Sequence, residues 1–171
     1  MKQALAAMML LLLSTEAHAN QTFERYIQWI VNNSELNYNG EPLPTVETVP
    51  ADQMLIIAYG ADVVADAENR GVKLSSVIAL YDNQNDRMII PDTVDLTDWN
   101  NHHIIVHELV HYLQDINGYY ELPKYAACQT ALEELAYNLH VKWMDEVNHP
   151  GIRPNALFIH MLLANCYGVH F

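Results

Sequence analysis

Basic residues are scarce in this chain: eight Lys and Arg stand against 21 Asp and Glu, for a formal net charge of −13. An acidic domain repels nucleic acid and anionic lipid, so neither is expected as a partner, and the charge is read as a means of solubility outside the cytoplasm. Cysteine is nearly absent, with only Cys128 and Cys166. They lack the close C-x-x-C spacing of a thiolate metal site, so the simpler expectation is one disulfide. Closing a loop of about 37 residues would contribute about 4 kcal/mol in the chain-entropy view. Internal repeats and low-complexity tracts are missing. After the first few residues no apolar run approaches the roughly 20 residues that span a bilayer.

What the N-terminus does have is Lys2, an apolar run from Ala4 to Leu13, polar Ser14-Thr15-Glu16, and then Ala17-His18-Ala19. That order describes a secretory signal peptide cleaved after Ala19. The apolar run is too short for a membrane helix, and no Cys follows it to carry a lipid. The expected organisation is therefore a signal peptide over 1–19 and a single domain over 20–171. About 150 residues suffice for one sizeable core. The expected location is secreted or periplasmic, with no membrane contact after cleavage.

Phe23, Tyr26, Ile27, Ile30 and Val31 recur at helical spacing and predict an amphipathic first helix. Asn37 to Pro44 reads as loop, Thr45 to Val49 as a short strand, and Ala51 to Asn69 as mostly helix, punctuated by Gly60 and Gly71. Two β-prone runs, Val77 to Tyr81 and Arg87 to Ile90, flank a polar turn and predict a hairpin. Asp98 is the best placed N-cap for the next helix, which runs to about Asn117 and stops at Gly118.

That helix is apolar nearly all round, with Ile104, Ile105, Val106, Leu109, Val110, Leu113 and Ile116, so it belongs inside the domain. Yet it carries His107-Glu108-Leu109-Val110-His111, an H-E-x-x-H motif. Positions i and i+4 share a helix face, so the two imidazoles can bind one metal ion, usually Zn²⁺. Glu108 can then take a proton from the activated water. A metal would also meet the need of buried imidazoles for partners.

A catalytic zinc takes three protein ligands, and a helix expected over Cys128 to Val147 offers Glu133 and Glu134. Glu133 shares a face with Ala136, Tyr137 and His140, beside an apolar stripe of Leu132, Leu135, Ala136, Leu139, Trp143 and Val147. Glu134 aligns with Asn138, Lys142 and Asp145 on a solvated face. The facing argument favours Glu133.

Asn101 to Gln114 resembles the active-site helix of zincin metallopeptidases. Glu133-Glu134-Leu135-Ala136-Tyr137 resembles the E-x-x-A-[YD] helix of the gluzincin branch, in which the first Glu binds zinc. The hairpin is similar to the edge strand those enzymes place along the cleft. The stretch from Val77 to Trp143 also resembles a family of small secreted zincin-like proteins with no assigned substrate. Many of those carry Gln where this chain has His140. The resemblance implies an α+β, zincin-like domain, a small hairpin or sheet packed on a buried active-site helix and a following Glu-bearing helix. It also implies one Zn²⁺ per chain on His107, His111 and Glu133, with Glu108 as general base and a peptide or protein as substrate.

The oxyanion of the reaction needs a donor, for which Tyr119, Tyr120, Tyr125, Tyr137 and His140 all stand open. His103, one turn before His107, could flank the metal or support a ligand from behind. Asp115 could bond a ligand imidazole or lie at the surface, and His149, His160 and His170 show no ligand spacing. Two other functional classes fit the same residues. One is a non-catalytic zincin-like metal-binding module, against which the intact Glu108 argues. The other is a metal-dependent hydrolase of a non-peptide amide, such as one in a cell wall.

Overall fold

A computed structural model describes residues 21–74 and 76–154. The expected signal peptide, Cys166, His160 and His170 lie outside those residues. The class is α+β, with helices gathered around one small mixed sheet.

The first helix, α1, covers 21–32. Phe23, Tyr26, Ile27 and Ile30 are buried from it, the i, i+3, i+4, i+7 stripe that makes one helix face. Strand β1 (Thr45–Val49) follows, and then α2 (Ala51–Tyr59) and α3 (Ala61–Asn69). The expected single helix is thus two, broken where Gly60 takes φ 85°, a value that side chains with a Cβ rarely adopt.

Strands β2 (Leu80–Asp82) and β3 (Arg87–Pro91) form the expected hairpin, although β2 begins three residues later than the β-prone run. Asp82 organises the turn by accepting from the Gln84 N–H, the Asn85 amide and Arg87 Nε at 3.1, 2.8 and 2.8 Å. Arg87 also pairs with Glu47 and so ties β1 to the hairpin. β3 lies in the middle, parallel to β1 and antiparallel to β2, and Met88, Ile89 and Ile90 are all buried. Met88 and Ile90 face the main core, while Ile89 joins Val49 and Met54 in a smaller one.

Asp98 caps a 3-10 turn (Trp99–Asn101), its side chain accepting from the Asn100 N–H, and the turn feeds α4 (His102–Ile116). Gly118, at φ 71°, closes that helix where expected. Pro123 opens the short α5 (Pro123–Ala127), a position that suits its missing N–H. Cys128 is extended at φ −152°, ψ 97°, so the last helix cannot start there. A 3-10 turn (Gln129–Ala131) intervenes, and α6 runs Leu132–Glu146. Cys128 is disulfide-bonded.

The core lies between α4, α6, α1 and the hairpin, with Ile105, Val106, Leu109, Val110 and Leu113 at its centre. From α6 it receives Ala136, Leu139, Trp143 and Met144. Val147, assigned to the same stripe by periodicity, is past the helix end and exposed. Among the described residues, no helix is long and apolar enough to cross a membrane.

Candidate metal centre

Packing α4 against α6 places one turn of each helix face to face. His107 and His111 stand one above the other on α4, and their Nε2 atoms are 3.2 Å apart. Glu133 projects from the first turn of α6, its Oε2 3.2 Å from His107 Nε2 and its Oε1 3.4 Å from His111 Nε2. One ligand atom from each of the three lies within 4.8 Å of the others. Two imidazoles and a carboxylate converging at that range could hold a metal ion, and among the described residues no other such group occurs.

The neighbours suit that use. His111 Nδ1 meets Gln114 Oε1 at 2.9 Å, and Gln114 Nε2 donates to the Leu132 carbonyl at 2.8 Å. Because the amide oxygen can only accept, Nδ1 carries a proton and Nε2 is turned toward Glu133. Gln114 thereby links the helix of the histidines to the turn that launches Glu133. Burial alone would raise the Glu133 carboxyl, but hydrogen bonds from His107 and His111 outweigh it and hold the group well below the usual carboxylate range. For His111 burial works in the opposite direction, yet Glu133 and Glu108 push its imidazole up to about 9.

Glu108 is buried beside this trio. Burial raises its carboxyl above the usual range, aided by the charge of Glu133 and opposed by His107, His111 and a hydrogen bond from the Tyr81 backbone N–H. A carboxylate next to a possible metal position, with its basicity increased by desolvation, has the character of a general base.

The structure separates the other candidates. Glu134 borders a different cleft, of about 340 Å³, together with Tyr119 and Tyr125, which stack on each other at 5.4 Å between centroids. Tyr120 and Tyr137 remain near the trio. Burial, then the charges of Glu133 and Glu108, pushes the Tyr137 hydroxyl up to about 12. Burial, followed by Asp115, Glu108 and Glu133, raises that of Tyr120 as well. The Tyr137 ring is 4.6 Å from the His107 ring.

Asp115 serves no imidazole: it accepts from the Tyr81 hydroxyl at 2.9 Å. His102 pairs with the Tyr26 hydroxyl at 2.6 Å. His103 lies behind the trio, stacked on His140 at 4.9 Å, and burial lowers these two imidazoles to about 4 and about 3. His149 is a structural histidine: Nδ1 accepts from the Gly151 N–H at 3.0 Å and Nε2 donates to the Trp99 carbonyl at 3.1 Å.

Sequence reasoning missed Gln114 and the Tyr81 backbone. A signal existed for Gln114, an amide three residues after His111 on a helix otherwise read as apolar. Tyr81 acts through its backbone N–H, a group every residue except proline has, so nothing in its residue type marks it.

No curated protein and no solved structure matches the chain. Over residues 15–170 it matches the model of a family described as a domain of unknown function, DUF6647, and with that span covering most of its length the chain belongs to this family.

Proposed function

We propose that the chain is an exported zinc-dependent peptidase that hydrolyses peptide bonds with Glu108 as general base. The observation that carries the reading is the convergence of His107, His111 and Glu133 beside a buried carboxylate of raised basicity. Zinc is the favoured ion because two imidazoles and a carboxylate are a usual set of protein ligands at catalytic zinc. Export rests on the N-terminal pattern from Lys2 to Ala19.

His107 and His111 would present Nε2 to the ion, and Glu133 a carboxylate oxygen. Gln114 would keep the His111 ring in register by accepting its Nδ1 proton in a hydrogen bond. The ion supplies Lewis acidity toward a water and toward the carbonyl of the bond to be cut. The Glu108 carboxylate takes the proton of that water and passes it to the departing amine. Tyr120 and Tyr137, whose hydroxyls feel the charges of Glu108 and Glu133, are the candidates to serve the oxyanion.

Replacing Glu108 with Gln tests the reading. The side chain keeps its shape and loses the base, so zinc content and fold should persist while hydrolysis falls about 10²–10⁴-fold. Digestion of a broad peptide library by wild type and variant, followed by mass spectrometry, measures it. Absence of cleavage by fully zinc-loaded wild type would favour a non-catalytic metal-binding module. Equal cleavage by both proteins would remove Glu108 from the mechanism.

A further inference from the structure

A cleft of about 980 Å³ opens beside the metal centre. It is walled by α2, α3 and residues 72–74 and 76–78, and Tyr137 forms part of its lining. Tyr137 is also the residue whose ring touches His107, so the cleft and the candidate metal position share a wall. The volume is at the upper end of what small-molecule and cofactor sites enclose.

Its lining is aliphatic. Leu55 comes from α2, Val64 from α3, Val72 and Ile78 from the connecting segment, and Val94 from beyond β3. The charged members are one of each sign, Glu68 and Lys73, so the cleft favours neither an anion nor a cation. Val72 is 50% exposed and Ile78 51%, which leaves apolar surface on the wall facing water. Ile56, Ile57 and Val63 on the same two helices are exposed as well. An exposed apolar patch beside a site is a mark of binding.

We propose that this cleft receives an aliphatic side chain of the substrate, from a residue next to the bond being cut. The inference rests on the peptidase reading of the same site. Tyr137 both lines the cleft and touches His107, so a side chain next to a carbonyl at the metal would reach the cleft past Tyr137. The α2–α3 pair, on this view, selects the substrate, and leucine-like side chains are its class.

The test uses zinc-loaded mature protein and calorimetric titration with hydroxamates of N-acetylglycine, N-acetylleucine and N-acetylaspartate. The hydroxamate group anchors each probe to an accessible zinc, so that the probes differ only in side chain. The leucine probe should bind tighter than the glycine probe by on the order of tenfold to a hundredfold, as expected for burying its side chain. Val72→Asp and Ile78→Asp, both at half-exposed positions on the cleft wall, should erase that advantage of the leucine probe over the glycine probe.

Equal affinity for the leucine and glycine probes overturns the proposal and leaves the peptidase reading standing. So does an advantage that survives both substitutions, or an aspartate probe that binds tightest. A concentration-dependent dimer abolished by either substitution, with no side-chain preference among the probes, would make the cleft a contact between copies and also overturn it. If no hydroxamate binds while zinc is fully loaded, both the proposal and the peptidase reading fail.

Discussion

Gln114 is wholly buried and uses both ends of its amide, one on His111 and one on the Leu132 carbonyl. Replacing it with Leu would leave the His111 ring N–H without its partner, remove a bond to the Leu132 carbonyl and let the imidazole turn. Metal affinity should fall about 10–100-fold, the usual cost of losing a group that orients a ligand. Glu133→Gln should weaken the affinity further, whereas Glu134→Gln, placed at the other cleft, should leave it nearly unchanged. Competition titration against a chromogenic zinc chelator measures all three. Loss of affinity in Glu134→Gln alone would mean that the ligand choice is off by one residue. The residues of the trio were legible because helix spacing fixes which side chains share a face, and the same geometry separated Glu133 from Glu134. Gln114 was not, because its role depends on a carbonyl 18 positions away that no local pattern reveals.

At the scale of elements, α4 is apolar on every side because it is covered on every side. It packs on α6, lies against β2, and shares its core with α1. Leu113 is fully buried there, so Leu113→Ala should cost about 2–5 kcal/mol of unfolding free energy. Val147 is 36% exposed past the end of α6, and Val147→Ala should cost less than about 0.5 kcal/mol. Urea unfolding of the two variants compares them, and a large loss at Val147 would show that the apolar stripe extends further than the helix. Periodicity assigned both residues to buried stripes, because it carries no information on where a helix stops. The start of α6 was obscured in the same way by the extended Cys128 and the 3-10 turn after it. The break at Gly60 was visible as a punctuating glycine, yet whether it ends a helix or bends one is decided by its φ of 85°. The pairing of β1 with β3 could not be read at all, since parallel strands are joined by contacts far along the chain.

For the whole molecule, the candidate metal centre joins the first turn of α6 to the middle of α4, so an ion bound there would hold the two central helices together. Whatever binds only the folded form adds to its stability. With zinc at a hundred times its dissociation constant the gain is about 2.7 kcal/mol. Chelation should therefore lower the Tm by roughly 5–10 °C for a domain of this size, and zinc alone should restore it. Scanning calorimetry with EDTA, then with added zinc, makes the measurement. An unchanged Tm at verified metal loss would place the ion outside the fold's energetics.

The contacts of α1 have another consequence, one that concerns time. The Trp29 indole donates to Glu146 across 117 positions, and the Tyr26 hydroxyl meets His102 across 76. Asn37 and Asn117 bond each other across 80. Tyr26 thus waits for α4, Asn37 for the end of that helix, and Trp29 for the end of α6, before these contacts can form. At 5–20 residues per second that wait is on the order of 6–24 s. A chain whose first described helix lacks its α6 contact for that long is still partly open during synthesis, the form that a translocation channel would thread if the protein is exported as proposed.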